Sequence, residues 1–204
     1  MYFPAIAQVE GYWQGLYESG EIPPRSAVDP RGMEDALEYA FLLERIAPGV
    51  GRIRLSGRHL NDILGMEVRG MPLTALFAPS ARSQIANAIE RVCNGPRLAD
   101  LEVSSKGGPG RAQMDGRLFM APLVGDNGRT NRVLACLQTK GVIGRTPRRF
   151  DTAHCATRHL DTAASAPLRP KIRQIAFARE EQTPFQPASA PAKHPHLRLV
   201  YSAD

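Results

Sequence analysis

Residues 59–82 read HLNDILGMEVRGMPLTALFAPSAR, and this stretch decides the fold prediction. Its apolar residues recur at helical spacing, but the helical turns are broken repeatedly. The breaks fall at Gly65, Gly70 and Pro72. Pro79 then suits the start of a longer helix, because proline lacks the N–H that a first helical turn leaves unpaired. We therefore predict short helical turns over residues 58–77, followed by a helix over residues 79–94.

Upstream of this helical region the pattern changes to strands. Residues 39–46 are ambiguous between helix and strand on periodicity alone, but the turn sequence Ala47-Pro48-Gly49 that follows favours a strand. Residues 51–57 then alternate apolar and polar side chains, so Ile53 and Leu55 are predicted to face one side of a second strand.

Downstream of the helix, turn sequences separate three further strand candidates. The candidates are residues 97–105, 112–123 and 131–140. The turn sequences KGGPG at 106–110 and GDNG at 125–128 predict two successive hairpins. Hairpins on either side of a helical middle predict an α+β fold, with a five-stranded antiparallel sheet and helices on one face.

An apolar stripe at helical spacing lies near the N-terminus. It consists of Ile6, Val9, Trp13 and Leu16. The stripe predicts a helix over residues 5–18, and the prolines within residues 22–30 forbid its continuation. We predict that Trp13 is mostly buried, either against the sheet or in a homodimer interface. Trp13 and Leu16 are also candidate partner-binding residues.

The order of strands, short helices, long helix and strands resembles the PAS domain family. Within residues 59–82, the matching positions are Asn61, Gly65, Gly70, Leu76, Pro79 and Arg82. The leader around Ile22-Pro23-Pro24-Arg25-Ser26 and Asp29-Pro30 is similar to that of a bacterial subfamily common in alphaproteobacteria as stand-alone proteins. The resemblance covers residues 10–140 and implies a sensory module that acts by binding. Because no acid–base pair or nucleophile constellation occurs, the chain is predicted not to be an enzyme, and its predicted location is cytoplasmic.

The resemblance implies a ligand pocket between the sheet and the short helices. The candidate pocket residues are Leu55, Leu60, Asn61, Leu64, Leu73 and Phe77. A flavin photoadduct would need a cysteine within residues 61–70, and haem would need a histidine within residues 79–94; neither residue occurs there. The sequence therefore predicts no flavin photoadduct, argues against haem as cofactor, and leaves an unidentified small ligand open.

Residues that could carry chemistry form no complete motif. Nucleophile-elbow, phosphate-loop and dinucleotide-binding patterns do not occur. His154, Cys155 and His159 are three metal-type side chains without a fourth, so no metal site is predicted. The widely spaced Cys93, Cys136 and Cys155 are not a disulfide framework and fit a reducing cytoplasm. We predict that Cys93 and Cys136 are buried.

Positive charge is concentrated at the C-terminal end. Residues 1–140 hold 16 Lys and Arg against 15 Asp and Glu, whereas residues 141–204 hold 10 against 5. Proline also accumulates there, as in the low-complexity residues 184–196. The predicted organisation is a flanking helix and leader over 1–30, a PAS domain over 31–140, and a basic tail over 141–204 that is largely disordered from residue 150.

The sequence RTPRR at 145–149 makes Arg145, Arg148 and Arg149 candidate partner contacts. The predicted partners are regulatory proteins, and a homodimer is left open. A nucleic-acid-associated regulator that uses the basic tail is the alternative function. No aromatic residues alternate with these arginines, and no helix-turn-helix pattern lies beside them. Sequence-specific recognition of nucleic acid is therefore disfavoured. No run of 18 apolar residues occurs, so no membrane span is predicted.

Overall fold

The computed structural model describes residues 2–17, 20–95 and 97–160, and an antiparallel sheet forms the centre of this part of the chain. Its strands are β1 (Ala40–Ala47), β2 (Val50–Ser56), β3 (Arg97–Ser105), β4 (Met114–Leu123), β5 (Arg132–Lys140) and β6 (Asp151–His159). They lie in the order β2-β1-β5-β4-β3-β6, and each neighbouring pair is antiparallel. The predicted sheet is confirmed, with a sixth strand added to the five.

Three α-helices and four 3₁₀ turns accompany the strands within the described residues. The helices are α1 (Pro4–Leu16), α2 (Arg58–Leu64) and α3 (Arg82–Asn94); the 3₁₀ turns are Arg25–Ala27, Pro30–Ala36, Leu73–Leu76 and Pro79–Ala81. α2 ends at Gly65, whose φ of 71° is the left-handed conformation that glycine adopts at little cost. The predicted short turns and longer helix are therefore confirmed.

Two apolar cores lie on opposite faces of the sheet. The inner core packs α2, α3 and the turns between them onto one face, and the outer core packs α1 onto the other. On β4, Leu118 and Met120 belong to the inner core, whereas Phe119 and Ala121 belong to the outer core. This alternation explains why β4 reads as a nearly continuous apolar run.

Trp13 fixes α1 to the outer face of the sheet. Its side chain is 0% exposed, and its indole N–H donates a hydrogen bond of 2.9 Å to the carbonyl of Pro122. Its ring also stacks on Tyr17, with 5.0 Å between centroids. The prediction that Trp13 is buried is confirmed, and it is buried against the sheet. Its assignment as a partner-binding residue is wrong, because no partner can reach it there.

Leu55 faces away from the inner core. Leu42 pairs with Leu55 while Leu43 pairs with Ile53, so Arg54 is an extra residue in β2. This β-bulge reverses the alternation of side chains. Ile53 is consequently fully buried in the inner core, whereas Leu55 is 50% exposed. The prediction that both residues face one side is wrong.

Residues 141–150, called here the crossing segment, lead from β5 across the inner layer to β6. The backbone N–H of Arg148 donates to the carbonyl of Ile63, and that of Phe150 donates to the carbonyl of Leu76, both at 2.9 Å. Phe150 is fully buried in the inner core, and β6 then pairs with β3. Residues 141–159 are therefore ordered beyond the domain boundary predicted at residue 140. The predicted disorder from residue 150 does not hold for β6, and the boundary itself stays a prediction. Residues 161–204, including the low-complexity 184–196, lie outside the described residues.

This placement predicts where limited proteolysis stops. Digestion of the full chain with trypsin is expected to leave a resistant fragment that extends at least to β6, although Arg145 and Arg149 are exposed. The reason is that the surrounding backbone is hydrogen-bonded to the helical layer and cannot enter a protease site without local unfolding. Intact-mass analysis of the fragments measures the end point. A resistant fragment that ends at residues 140–150 would contradict the placement.

Candidate functional site

The predicted ligand pocket coincides with the inner core. Leu60, Leu73 and Phe77 are fully buried, and Leu64 is almost so. Asn61 accepts a 3.0 Å hydrogen bond from the backbone N–H of Val68, which fixes the turn after α2. The three surface clefts described below are lined by none of these five candidates. A small-ligand site in this interior stays a prediction.

His59 makes a hydrogen bond beside this region. Its Nε2 lies 3.0 Å from the hydroxyl of Thr139, and its ring meets the edge of Tyr39 at 4.8 Å between centroids. Burial lowers the pKa of His59 below its ordinary value. Its surroundings therefore favour the neutral imidazole as a structural hydrogen-bonding group.

An apolar groove, called here the outer groove, runs along the outer face of β1 and β2 beside the 3₁₀ turn Pro30–Ala36. Its volume is about 190 Å³. The groove is lined by Arg25, Val28, Pro30, Met33, Leu37, Ala40, Phe41, Leu42, Leu55, Ser56, Gly57 and Leu134. Leu37 is 39% exposed and Leu55 is 50% exposed. The β-bulge at Arg54 therefore turns an apolar side chain into this groove that strict alternation would have placed in the core.

The leader forms one wall of the outer groove, and hydrogen bonds to α1 and to the segment after β4 hold it in place. The hydroxyl of Tyr12 accepts a 2.7 Å hydrogen bond from the backbone N–H of Asp29. The Asp29 carboxylate accepts from the N–H of Arg31 at 3.0 Å, which begins the 3₁₀ turn. The N–H of Arg25 donates to the carbonyl of Val124 at 2.8 Å. The proline-rich leader is thus held in place against the sheet.

A charged cleft of about 360 Å³ continues the outer groove. The two share Arg25, Leu42 and Leu55. Arg54 and Arg132, which also line this cleft, both form salt bridges with Glu44. Among the described residues Arg25 forms no salt bridge. Asp126 also lines the cleft and lies 3.8 Å from Arg132. The apolar groove therefore ends in a charged rim of three arginines and one aspartate.

The other predicted partner-binding residues are separated by the fold. Leu16 is half-buried near the end of α1. Arg145 and Arg149 are exposed on the crossing segment, but Arg148 is 0% exposed. The assignment of Arg148 as a partner-binding residue is therefore wrong.

Arg148 is instead an internal clamp. Its Nε donates to the hydroxyl of Ser105 at 3.2 Å, and its Nη2 donates to the carbonyls of Ser105 at 3.3 Å and Ala112 at 2.7 Å. Its Nη1 donates to the carbonyl of Ile143 at 3.3 Å. One side chain thereby joins the crossing segment to the end of β3 and to the β3–β4 loop. The basic character of residues 145–149 gave no indication of this role. The large apolar side chain of Phe150, two residues later, was the sequence feature that could have indicated a buried segment.

The three side chains of a type that can bind metal, those of His154, Cys155 and His159, lie on β6. Among the described residues, no three His, Cys, Asp or Glu side chains are grouped to hold a metal ion. None of the helices in this part of the chain combines the length and apolar character that a membrane crossing requires.

A family model described as PAS domain matches residues 1–138. The chain is also similar to the dark structure of the blue-light photoreceptor Aureochrome1 LOV, at 18% identity and a TM-score of 0.39, covering 59% of this chain and 87% of that chain. It is similar as well to an RNA-binding Light-Oxygen-Voltage receptor, at 17% identity and a TM-score of 0.38, covering 58% and 36% of the two chains. No curated protein matches the sequence. The family match includes α1 and the leader.

Proposed function

This chain belongs to the PAS domain family, a family of sensory and regulatory modules, and from that premise we propose that it is a regulatory adaptor whose output is a change in protein–protein contact. The observation that carries this proposal is the outer groove. Single exposed apolar residues are ordinary, but a contiguous apolar groove with a polar rim is typical of an interaction site.

The composition of the outer groove indicates what it contacts. Leu37 and Leu55 present apolar surface, and Leu42 is a half-buried residue of the same lining. Arg25 and Arg54 stand at the adjoining charged end. A partner segment with an apolar stripe and acidic flanking residues matches this arrangement, because the carboxylates would meet the arginines as the stripe becomes buried.

Two of the three thiols support a binding role over a nucleophilic one. Cys93 and Cys136 are buried, as predicted. Burial raises the pKa of Cys93 to about 11 and that of Cys136 to about 12. Both are therefore protonated at neutral pH, and the thiolate that covalent catalysis needs is not available at either position.

The alternative function, a nucleic-acid-associated regulator, has lost part of its basis. It relies on the basic tail over residues 141–204, in which residues 145–149 supply three arginines, and Arg148 is committed to internal hydrogen bonds. Arg145 and Arg149 remain exposed. Two exposed arginines on one segment are a weak basis for affinity to a phosphate backbone.

The proposal is tested with a photo-crosslinking residue at position 55 in the full chain, produced in its native cell. We expect crosslinks from position 55 to a regulatory protein, and none to that protein from position 142. Val142 is the matched control because it is also apolar and is 74% exposed, outside the outer groove.

The second stage uses that partner in purified form. Leu55→Glu is expected to weaken its binding by about tenfold or more, whereas Val142→Glu leaves binding unchanged. Thermal unfolding should show both variants folded, since surface substitutions change stability by only ~0.5 kcal/mol. The same affinity for Leu55→Glu as for the natural sequence, or identical crosslinks from the two positions, would refute the proposal.

A further inference from the structure

A basic cleft lies where the β3–β4 loop meets the crossing segment. Its volume is about 420 Å³. The cleft is lined by Ser105, Lys106, Arg111, Pro147, Arg149 and Asp151. Lys106 and Arg111 stand at the two ends of the glycine-rich turn, and Arg149 comes from a segment almost 40 residues further along the chain. The fold therefore brings Arg149 to the two cations of a turn that is distant in the sequence.

The backbone around this basic cleft is held in place. Gly108 and Arg111 exchange two backbone hydrogen bonds of 2.9 Å across the glycine-rich turn. Arg111 Nη1 then donates to the carbonyl of Pro147 at 3.3 Å. Gly144 approaches this turn so closely that a Cβ atom there would lie 3.0 Å from the carbonyl oxygen of Gly110. The KGGPG sequence is a turn, as predicted, and it also packs on the crossing segment.

The charges around the basic cleft are unbalanced. Lys106, Arg111 and Arg149 face a single carboxylate in the lining, that of Asp151. Asp151 accepts a 2.6 Å hydrogen bond from the hydroxyl of Ser80, and within the described part of the chain it forms no salt bridge. A concave surface with an excess of one sign of charge focuses the electrostatic potential and attracts the opposite ion.

The buried Arg148 adds a fourth positive charge beneath the basic cleft. Its hydrogen-bond partners are neutral oxygens, so none of them cancels its charge. Burial lowers the pKa of Arg148, and the positive charge of the nearby Arg111 lowers it further. Ser105 connects Arg148 to the cleft, because it lines the cleft and its hydroxyl accepts from Arg148.

We propose that the basic cleft binds the phosphate group of a small phosphorylated molecule. Arginine guanidinium groups match phosphate oxygens in planar, charge-assisted pairs, and a lysine adds a point charge. The Ser105 hydroxyl supplies one further donor. The cleft volume falls within the range of about 300–1,000 Å³ that small-molecule sites occupy. This site is separate from the outer groove and does not depend on the proposed function.

The test titrates the full chain with inorganic pyrophosphate, with ADP and with phosphoserine, using calorimetry and amide NMR shifts. We expect saturable binding of at least one probe at one site per chain. Shifts should centre on residues 105–111 and 147–151. Preference for ADP would indicate a nucleotide, and equal affinity for all three probes would indicate recognition of the phosphate group alone.

Variants separate this site from general electrostatic attraction. Arg149→Ala and Lys106→Ala are expected to weaken binding by about tenfold each, since each removes one charged contact. Arg69→Ala, which removes the same charge from an exposed position elsewhere, should leave the affinity unchanged. Arg111→Ala should behave like Arg149→Ala, with its thermal unfolding measured because it also loses the contact with Pro147.

Three results would overturn the proposal. The first is the absence of saturable binding for all three probes. The second is equal weakening by Arg69→Ala, which would indicate attraction to the net charge of the protein. The third is tighter binding of a DNA or RNA oligonucleotide with the same dependence on Arg149, which would indicate a nucleic-acid surface in place of a small-molecule site.

Discussion

Replacing Trp13 with alanine is expected to lower the free energy of unfolding by about 3–5 kcal/mol, the range for removing a large aromatic side chain from a core. Trp13 is fully buried among Ile6, Val9 and Phe119. Its indole N–H is also the donor to Pro122, so the variant leaves a cavity and an unpaired carbonyl. Against a typical stability of about 5–15 kcal/mol, this loss is a large fraction of the total.

The measurement needs a probe other than tryptophan fluorescence, because Trp13 is the only tryptophan. Urea unfolding followed by far-UV circular dichroism gives the free energy for every variant. Trp13→Phe keeps most of the apolar contact and loses the hydrogen bond, so its stability should lie between those of the natural chain and the alanine variant. Gln14→Ala changes the exposed neighbour on the same helix and serves as the control. An unchanged midpoint for Trp13→Ala would show that Trp13 contributes nothing to the stability of the fold.

The docking of α1 also bears on the outer groove. The hydroxyl of Tyr12, the residue before Trp13, accepts from the backbone of Asp29, and the 3₁₀ turn that follows Asp29 forms the wall of the groove. Detaching α1 should therefore disturb the wall as well as the outer core. Under the proposed function, the outer groove would contact a partner, and α1 stabilises the sheet. The hydrogen bond between Tyr12 and Asp29 joins these two parts of the protein.

Local patterns were sufficient to predict most of the fold. The turn sequences at 106–110 and 125–128 placed two hairpins correctly, because tight turns depend on glycine and asparagine within a few residues. The breaks at Gly65 and Gly70 were equally readable, since both glycines have positive φ. Each of these signals acts over short distances along the chain, so a single sequence carries it.

The features that were missed depend on distant parts of the chain. The β-bulge at Arg54 arises from the pairing of β2 with β1, and an alternating pattern alone does not reveal an inserted residue. The burial of Arg148 depends on carbonyls of Ser105 and Ala112, about 40 residues away in the sequence. A basic, proline-containing segment looks solvated until its partners are known. The outer groove and the basic cleft, which both draw residues from separate elements, were missed for the same reason.

Replacing Arg148 with methionine is expected to lower the free energy of unfolding by about 3 kcal/mol, because buried acceptors lose their donors. Arg148→Met keeps most of the volume of the side chain but leaves the acceptors on Ser105, Ala112 and Ile143 without their donors. Each buried acceptor that loses its partner costs ~1–3 kcal/mol, and water entering the space recovers part of that sum. Arg148→Lys should also be destabilised, since one ammonium group cannot reproduce the fork of guanidinium donors.

The result for Arg148→Met decides between two physical accounts of this buried cation. If desolvation of the charge outweighs its hydrogen bonds, the apolar variant should be as stable as the natural chain or more stable, as happens for some buried ion pairs. If the hydrogen bonds outweigh desolvation, the variant loses stability and its crossing segment becomes sensitive to trypsin at Arg145 and Arg149. We expect the second outcome, because four hydrogen bonds to neutral oxygens compensate the guanidinium. Arg145→Ala, an exposed change three residues earlier, should shift the free energy of unfolding by no more than ~0.5 kcal/mol.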